Sequence, residues 1–420
     1  MTTNFVPLKI LVVTECFWPD IYAVNDIVEK LVKRGHKVTV LTGLPDYTTT
    51  KIPKEYRHFR NRHQNYKGAD VYRVQTIARH HGPIWRSLSY LSFVFFGALR
   101  ARLQNWGDFD VIYVWEVSPV TMAVPAIHLK KRYDKPLFLY CMDIWPECVK
   151  AMHINEGTLP YRMIHSWTKR IYKECDHIAV SSEPFFEYME KVNGISRQKM
   201  SYLPQYGDVK LLDIDPRKDI ETGNACDFVF IGNIGNAQNL ETLIHAMTVF
   251  KDRNDVKLHM VGGGTNLENI KKLTHELGLD DIIIFYGPKP FDEAKEFYRV
   301  ADACVLTLDG SNHIGDTLPG KLQTYMAAGK PIFAAANGAA QKIIRSARCG
   351  RCAEAGNSAE LGEYLLDFVN YRGKYHESGM NAREYFVKNF MEYQHFEDLE
   401  ESLKLLIKNY ARRRKKRRKK

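Results

Sequence analysis

The stretch GDTLPGKLQTYMAAGKPIFAAAN, residues 315–337, reads as a loop, a short helix and a buried strand in succession. Thr317 suits an N-cap and Pro319 the first helical turn; residues 322–328 are mostly good helix formers, and Gly329 with Pro331 stops the helix. The apolar run PIFAAA that follows is short and unbroken, as expected of a strand covered on both faces. Lys321 lies in the first helical turn, where the macrodipole disfavours a cation. Its placement is explained if a phosphate sits between its ammonium and the helix amides. Asp316 stands just outside the same turn. An ordinary strand, loop and helix with a solvated lysine fits the fragment as well.

Working outward, CDFVFIGN (226–233), VKLHMVGGG (256–264), IIIFYG (282–287) and ACVLTL (303–308) are further apolar strands, each followed by a helical segment. The amino-terminal half has the same alternation. LKILVVTE (8–15), a helical stretch over 25–33 closed by Gly35, and HKVTVLTG (36–43) form a βαβ unit. Strands ADVYRVQ (69–75), DVIYVWE (110–116), PLFLYC (136–141) and HIAVSS (177–182) follow, with helical stretches after Pro83, Pro119, Pro160 and Pro184. Continuous apolar strands between helices imply parallel sheets covered on both faces. The pattern lapses over 203–223, which reads as a linker. The expected fold is therefore α/β, with two tandem doubly wound Rossmann-like domains facing across a cleft. Residues 1–207 form the first, completed by a C-terminal helix at about 393–410; residues 208–392 form the second, and 411–420 are a basic tail.

At 420 residues and 45% hydrophobic, the chain is long enough for two such cores. The net charge of +11 resides almost wholly in the last ten residues, ARRRKKRRKK, which hold nine Lys or Arg and no acid. A nucleic-acid binder spreads basic surface through its fold, so none is expected as a partner. Of eight cysteines only Cys349 and Cys352 form a CxxC; without a second pair this does not make a zinc site, and reduced thiols point to the cytoplasm. No secretory leader is expected from residues 5–13, which include Pro7 and Lys9 and read as a strand. The apolar run at 90–99 is about half of the roughly 20 residues a spanning helix needs. The loop TECFWPDIYA lacks the GxGxxG of dinucleotide binders, which argues against NAD.

Four segments carry a family likeness: RGHKVTVLTGLPDY (34–47), MDIWPE (142–147), FIGNIGNAQNLETLI (230–244) and LPGKLQTYMAAGKPI (318–332). Together they resemble the retaining glycosyltransferases of family 4, of GT-B architecture, and in particular the WbuB-like branch of bacterial surface-polysaccharide transferases. The resemblance implies a Glu-x7-Glu pair whose first acid contacts the donor sugar and whose second holds the ribose. Counting back from Met326 to Gly329, those positions fall on Asp316, one methylene shorter, and Thr324, which offers a hydroxyl and no charge. Where many members carry Arg and Lys for the donor diphosphate, this chain has Asn233 and Gln238.

On this reading a nucleotide sugar, UDP-linked by default, is the donor, and neither cofactor nor metal is required. Lys321, Asp316 and Asp143 are the expected catalytic residues, Asp143 because it ends a strand ahead of Trp145, Pro146 and Glu147; capping of the following segment explains it as well. Gly232, Asn233, Gly235, Gly262, Lys289, Leu318, Pro319, Gly320 and Thr324 are expected at the donor, with Lys289 equally explained as a solvated loop residue. Asp20, Tyr22, Asp46, Trp145 and Glu147 are expected at the acceptor. His36 is expected to satisfy a turn; His313, three residues before Asp316, fits either a residue that reaches the donor or, as is commoner for a lone loop histidine, an exposed one.

Residues 84–103 combine aromatic and aliphatic side chains with Arg86, Arg100 and Arg102, and fit either an interfacial helix or a buried one. With the basic tail they suggest an anionic membrane surface and a lipid-linked saccharide acceptor on the inner face of the plasma membrane. Two alternatives stand beside this function. One is an inactive GT-B subunit that stabilises a partner transferase, the other a sugar-nucleotide epimerase on a similar scaffold.

Overall fold

Short apolar strands alternating with amphipathic helices sort into two parallel sheets. The computed structural model describes residues 6–46, 50–80, 82–152, 154–216, 225–311 and 313–418, so of the linker expected at 203–223 the part 217–223 lies outside the described residues. One unit comprises the chain up to Ser181, then Phe185–Leu203, then the chain from Phe396 on; the other comprises Ser182–Pro184 and Pro204–His395. The junctions thus fall a few residues away from the expected 207/208 and 392/393.

The first unit holds strands β1 (Lys9–Val13), β2 (Lys37–Thr42), β3 (His63–Tyr66), β4 (Ala69–Arg73), β5 (Val111–Glu116), β6 (Leu137–Cys141), β7 (His177–Val180) and β8 (Met200–Tyr202). They are ordered β3-β4-β2-β1-β5-β6-β7-β8, parallel throughout except for the edge strand β3. Helices α1 (Ala23–Lys33), α2 (Pro83–Leu103), α3 (Val124–Tyr133), α4 (Leu159–Glu174) and α5 (Pro184–Lys191) cover it. In α1, Val24, Ile27, Val28 and Leu31 recur at helical spacing and are buried, each contributing about 1.5–3 kcal/mol. The edge strand β3, sequence HQNY, escapes sequence reading because it is short, polar and only half-buried on one face.

Helix α2 is neither interfacial by composition alone nor buried all round. Phe93 and Ala101 belong to the core, whereas Ile84, Leu88, Leu91, Phe95, Leu99 and Leu103 are exposed.

The second unit holds β9 (Cys226–Ile231), β10 (Val256–Val261), β11 (Ile283–Gly287), β12 (Ala303–Thr307), β13 (Ile332–Ala335) and β14 (Gly350–Ala353). Their order, β11-β10-β9-β12-β13-β14, is the doubly wound 3-2-1-4-5-6 arrangement, which opens a crevice at the carboxyl ends where β9 and β12 adjoin. Helices α6 (Leu240–Met247), α7 (Leu267–Glu276), α8 (Phe291–Val300), α9 (Gly320–Ala328), α10 (Gly338–Ala347), α11 (Ser358–Asn370) and α12 (Ser378–Asn389) surround it. Phe228, Phe250, Phe333 and Phe368 form the centre of one core face.

The last helix, α13 (Glu392–Arg418), corrects the expected free tail at 411–420: the basic residues continue the helix as far as Arg418. Its residues from Phe396 on belong to the first unit. There the Glu400 carboxylate accepts from Arg34 Nε at 2.5 Å and from His36 Nε2 at 3.1 Å, while His36 Nδ1 accepts the Leu8 amide at 3.0 Å. Asp134 receives Tyr410 Oη at 3.0 Å and Arg414 Nε at 2.5 Å. His36 is therefore a buried clasp rather than a turn residue.

Candidate active site

The glycines after β9 and β10 are where the second unit makes room for a side chain. Gly232 has φ +145°, and a Cβ there would lie 2.2 Å from Lys321 Cε; at Gly262, φ +142°, a Cβ would lie 1.9 Å from the Gly232 carbonyl oxygen. The two loops continue the β9–β10 pairing through Gly232 N to Val261 O and Ile234 N to Gly263 O, both 2.9 Å. Only glycine permits this approach at these torsions.

Lys321 rises from the first turn of α9 into that gap. Its Nζ donates to the Asn233 carbonyl at 3.3 Å and lies 4.0 Å from the Phe230 ring centroid. Burial pushes the ammonium down to about 7. Tyr325, fully buried one turn on, accepts the Ile231 amide on its hydroxyl at 3.2 Å and so fixes α9 to the end of β9. The helix starts at Gly320 with Pro319 in the N-cap position, two residues later than expected, and Thr317 lies outside it. Pro319 has no capping side chain, so the amides of Gly320 and Lys321 remain available to an anion, with Leu318, Pro319 and Gly320 at their mouth, while the Leu322 amide donates to the Pro319 carbonyl at 3.0 Å. Asp316 closes the preceding short turn (Ile314–Asp316), and its Oδ2 accepts from His313 Nδ1 at 2.6 Å. His313 is thus more than an exposed loop residue.

Four of the expected donor residues already have partners within the unit. Thr324 donates its hydroxyl proton to the Gly320 carbonyl at 3.0 Å, leaving only lone pairs for a ligand. The Gly235 amide donates to Gln238 Oε1 at 3.1 Å, and the same oxygen receives Asn233 Nδ2 at 3.3 Å; neither side chain brings charge. Lys289 pairs with Glu293 at 2.9 Å within its own turn.

In the first unit the expected residues fall into two groups. Asp20 Oδ2 accepts the Asp46 amide at 2.9 Å, and Asp46 Oδ2 accepts the Arg79 amide at 2.6 Å, joining the loops that follow β1, β2 and β4. Tyr22 packs edge-on against Trp115 with centroids 6.0 Å apart. Sequence reading missed two members of this group. Glu15, just past β1, is buried and pushed up to about 8 by that burial, with Arg79 opposing the shift. The Arg79 guanidinium lies 5.1 Å from the Tyr90 ring centroid. The available signal was position: VVTE carries an acid onto the carboxyl end of a central strand.

The second group is largely internal. Asp143 Oδ2 accepts from the Ser118 amide at 2.9 Å and hydroxyl at 3.0 Å, and burial raises its carboxyl above the ordinary range. Trp145 is in the core, with Nε1 donating to Ser118 Oγ at 3.2 Å. Glu147 is buried and accepts from Tyr161 at 3.0 Å, Tyr188 at 2.8 Å and Lys150 at 2.5 Å; burial would raise it, but these partners hold it below the usual range. Trp145 and Glu147 thus brace the loop after β6, correcting their assignment to the acceptor, because both are buried inside the unit. Asp143 is occupied in the same network, so the catalytic role expected of it has no open carboxylate oxygen at Oδ2.

Comparison with known proteins decides the family. The model described as Glycosyltransferase Family 4 matches residues 23–206, and that described as Glycosyl transferases group 1 matches residues 214–385. The chain is a family 4 glycosyltransferase. A glycosyl transferase assigned to colanic acid biosynthesis in Escherichia coli K12, WcaI, is 21% identical over 77% of this chain and 82% of its own. Among solved structures, sucrose-phosphate synthase from Thermosynechococcus elongatus superposes with a TM-score of 0.74 at 17% identity, covering 96% of this chain and all of that one. Anabaena HepE in complex with UDP gives 0.70 at 15% identity, covering 94% and 100%. The two parallel-sheet units of this glycosyltransferase are those of the GT-B architecture.

Proposed function

We propose that this glycosyltransferase moves a sugar from a nucleotide-sugar donor, UDP-linked by preference, to a lipid-linked saccharide acceptor in the synthesis of a cell-surface polysaccharide. The observation that carries the reading is Lys321, held in a glycine-lined gap at the uncapped start of α9. As the bond from the sugar C1 to the diphosphate breaks, negative charge grows on the leaving oxygen and positive charge on the ring. A preformed positive field at the phosphate stabilises that change more than it stabilises the bound donor. In this scheme Lys321 and the α9 amides supply the field and no metal takes part. Asp316 orients the sugar hydroxyls. The acceptor oxygen attacks from the face the diphosphate leaves, giving retention, and its proton passes to the departing phosphate. Asp20, Tyr22, Asp46 and the newly recognised Glu15 and Arg79 form the acceptor site in the first unit. The name of WcaI and the UDP bound in HepE support the polysaccharide role and the nucleotide class.

The membrane part of the proposal draws on α2. Its exposed residues Ile84, Leu88, Leu91, Phe95 and Leu99 step by four, three, four and four along one line, which continues to the exposed Arg102. That line is about 27 Å long at 1.5 Å per residue. Arg132 on α3 donates to the carbonyls of Ala101 at 3.1 Å and Gln104 at 2.9 Å, at the carboxyl end of α2. Asp134, at the end of α3, holds α13, where Arg412, Arg413, Lys415 and Lys416 are exposed. Apolar stripe and basic residues complement an anionic bilayer, each cation adding about 1 kcal/mol near the surface. Among the described residues no helix is long and apolar enough to cross a membrane, so we place the protein peripherally, on the cytoplasmic side of the plasma membrane.

Incubating the protein with host membranes and UDP-glucose, UDP-galactose, UDP-N-acetylglucosamine or GDP-mannose, each radiolabelled in the sugar, tests the reaction. Transfer of label into an organic-soluble lipid fraction is expected. A chain that binds a nucleotide sugar but labels nothing would favour the inactive-subunit reading, for which the committed hydroxyl of Thr324 is the specific support. Conversion of the free donor without acceptor would favour an epimerase.

A further inference from the structure

We propose that His313 is a positioning residue for the donor sugar: it fixes one oxygen of Asp316 so that the other meets a sugar hydroxyl. The inference rests on the proposed reading of Asp316 as the donor-sugar contact. A carboxylate accepts only, so the 2.6 Å contact requires the proton on His313 Nδ1. Oδ2 is thereby committed; among the described residues Oδ1 has no hydrogen-bond partner, and it is left to receive a hydroxyl.

The backbone is arranged around that contact. His313 has φ +60°, a conformation uncommon for a residue with a Cβ. The turn is closed by the Asp316 amide donating to the His313 carbonyl at 3.0 Å. It is wedged against the turn after β13: at Gly338, φ +68°, a Cβ would lie 2.2 Å from the Gly315 carbonyl oxygen. Stability does not explain this arrangement. The His313 and Asp316 side chains are 45% and 27% exposed, and an ion pair so exposed contributes little. Strained backbone held for a weak contact is a mark of functional placement. The chemistry agrees: a shorter acid than Glu reaches less far, and a fixed carboxylate avoids the ordering cost that a free one meets when sugar binds.

The test compares affinity for a bare diphosphate with that for its sugar conjugate by calorimetry, using UDP with UDP-glucose and UDP-N-acetylglucosamine, and GDP with GDP-mannose. In His313→Leu the gain in affinity conferred by the sugar is expected to fall about tenfold, with the bare diphosphate bound as in wild type. His313→Asn is expected to restore it, because Asn tolerates positive φ and its Nδ2 donates from the place of Nδ1. Equal weakening of diphosphate and conjugate, no change in either, or failure of Asn to rescue a folded protein would overturn the inference alone. A wild-type chain that binds none of these nucleotides would overturn the donor-site reading and this inference with it.

Discussion

Lys321 is the residue on which most of the proposed chemistry turns, and its surroundings make its charge conditional. Burial brings its ammonium down to about 7, so in the free protein it is cationic below that pH and neutral above. The diphosphate of a nucleotide sugar keeps its charge across this range, so at the diphosphate the pH dependence comes from the lysine. Affinity for the donor is expected to be constant below about pH 6.5 and to weaken towards tenfold per unit above 7, with proton uptake on binding at pH 8. Lys321→Met is expected to lose about 10- to 100-fold in affinity, the worth of a hydrogen bond to a charged group, and to flatten the profile. Isothermal titration in two buffers of different ionisation enthalpy measures both; a wild-type profile that is flat to pH 9 contradicts this account of Lys321. Its placement was legible because a cation in a first helical turn opposes the macrodipole, a local conflict with a local explanation. Glu15 and Arg79 were not legible together, since 63 intervening residues hide a proximity that only the parallel sheet creates. Trp145 and Glu147 misled for a related reason: a family motif names residues, and burial decides whether they face a ligand.

At the scale of elements, α2 has the clearest consequence. A helix with Phe93 in the core and Phe95 in solvent cannot be read from composition, because apolar residues occur all round it and only packing chooses the covered side. Leu91→Glu with Phe95→Glu is expected to abolish flotation with vesicles containing a third phosphatidylserine, while leaving the melting temperature within about 2 °C of wild type, since both side chains are exposed. Retained flotation would show that α2 does not contact the bilayer. Most strands and helices were legible from apolar runs bounded by Gly and Pro. The exceptions, β3, β8 and β14, are short edge strands whose identity comes from pairing with a neighbour rather than from their own sequence.

Over the whole molecule, two series of alternating strands and helices were enough to foresee two doubly wound sheets, whereas the path of the last helix was not. The fate of α13 depends on Glu400, an ordinary helix residue until Arg34 and His36 are found beside it. Glu400→Ala leaves a buried imidazole N–H without its acceptor and is expected to cost about 1–3 kcal/mol in urea unfolding. Burial also lowers the His36 pKa, only partly offset by Glu400. Its contribution is therefore present above the unfolded value near 6.5 and is lost as pH falls through the lower folded one, so the wild type is expected to weaken between pH 7 and 5. The central claim, that a nucleotide diphosphate lodges between Lys321 and the start of α9, is tested most directly by thermal shift of the full chain. UDP, GDP, ADP, CMP and dTDP and their common sugar conjugates are compared on wild type and Lys321→Ala. We predict that one nucleotide class raises the wild-type melting temperature and that the variant, equally stable without ligand, loses most of that rise; no rise with any nucleotide, or the same rise in both proteins, would contradict the claim.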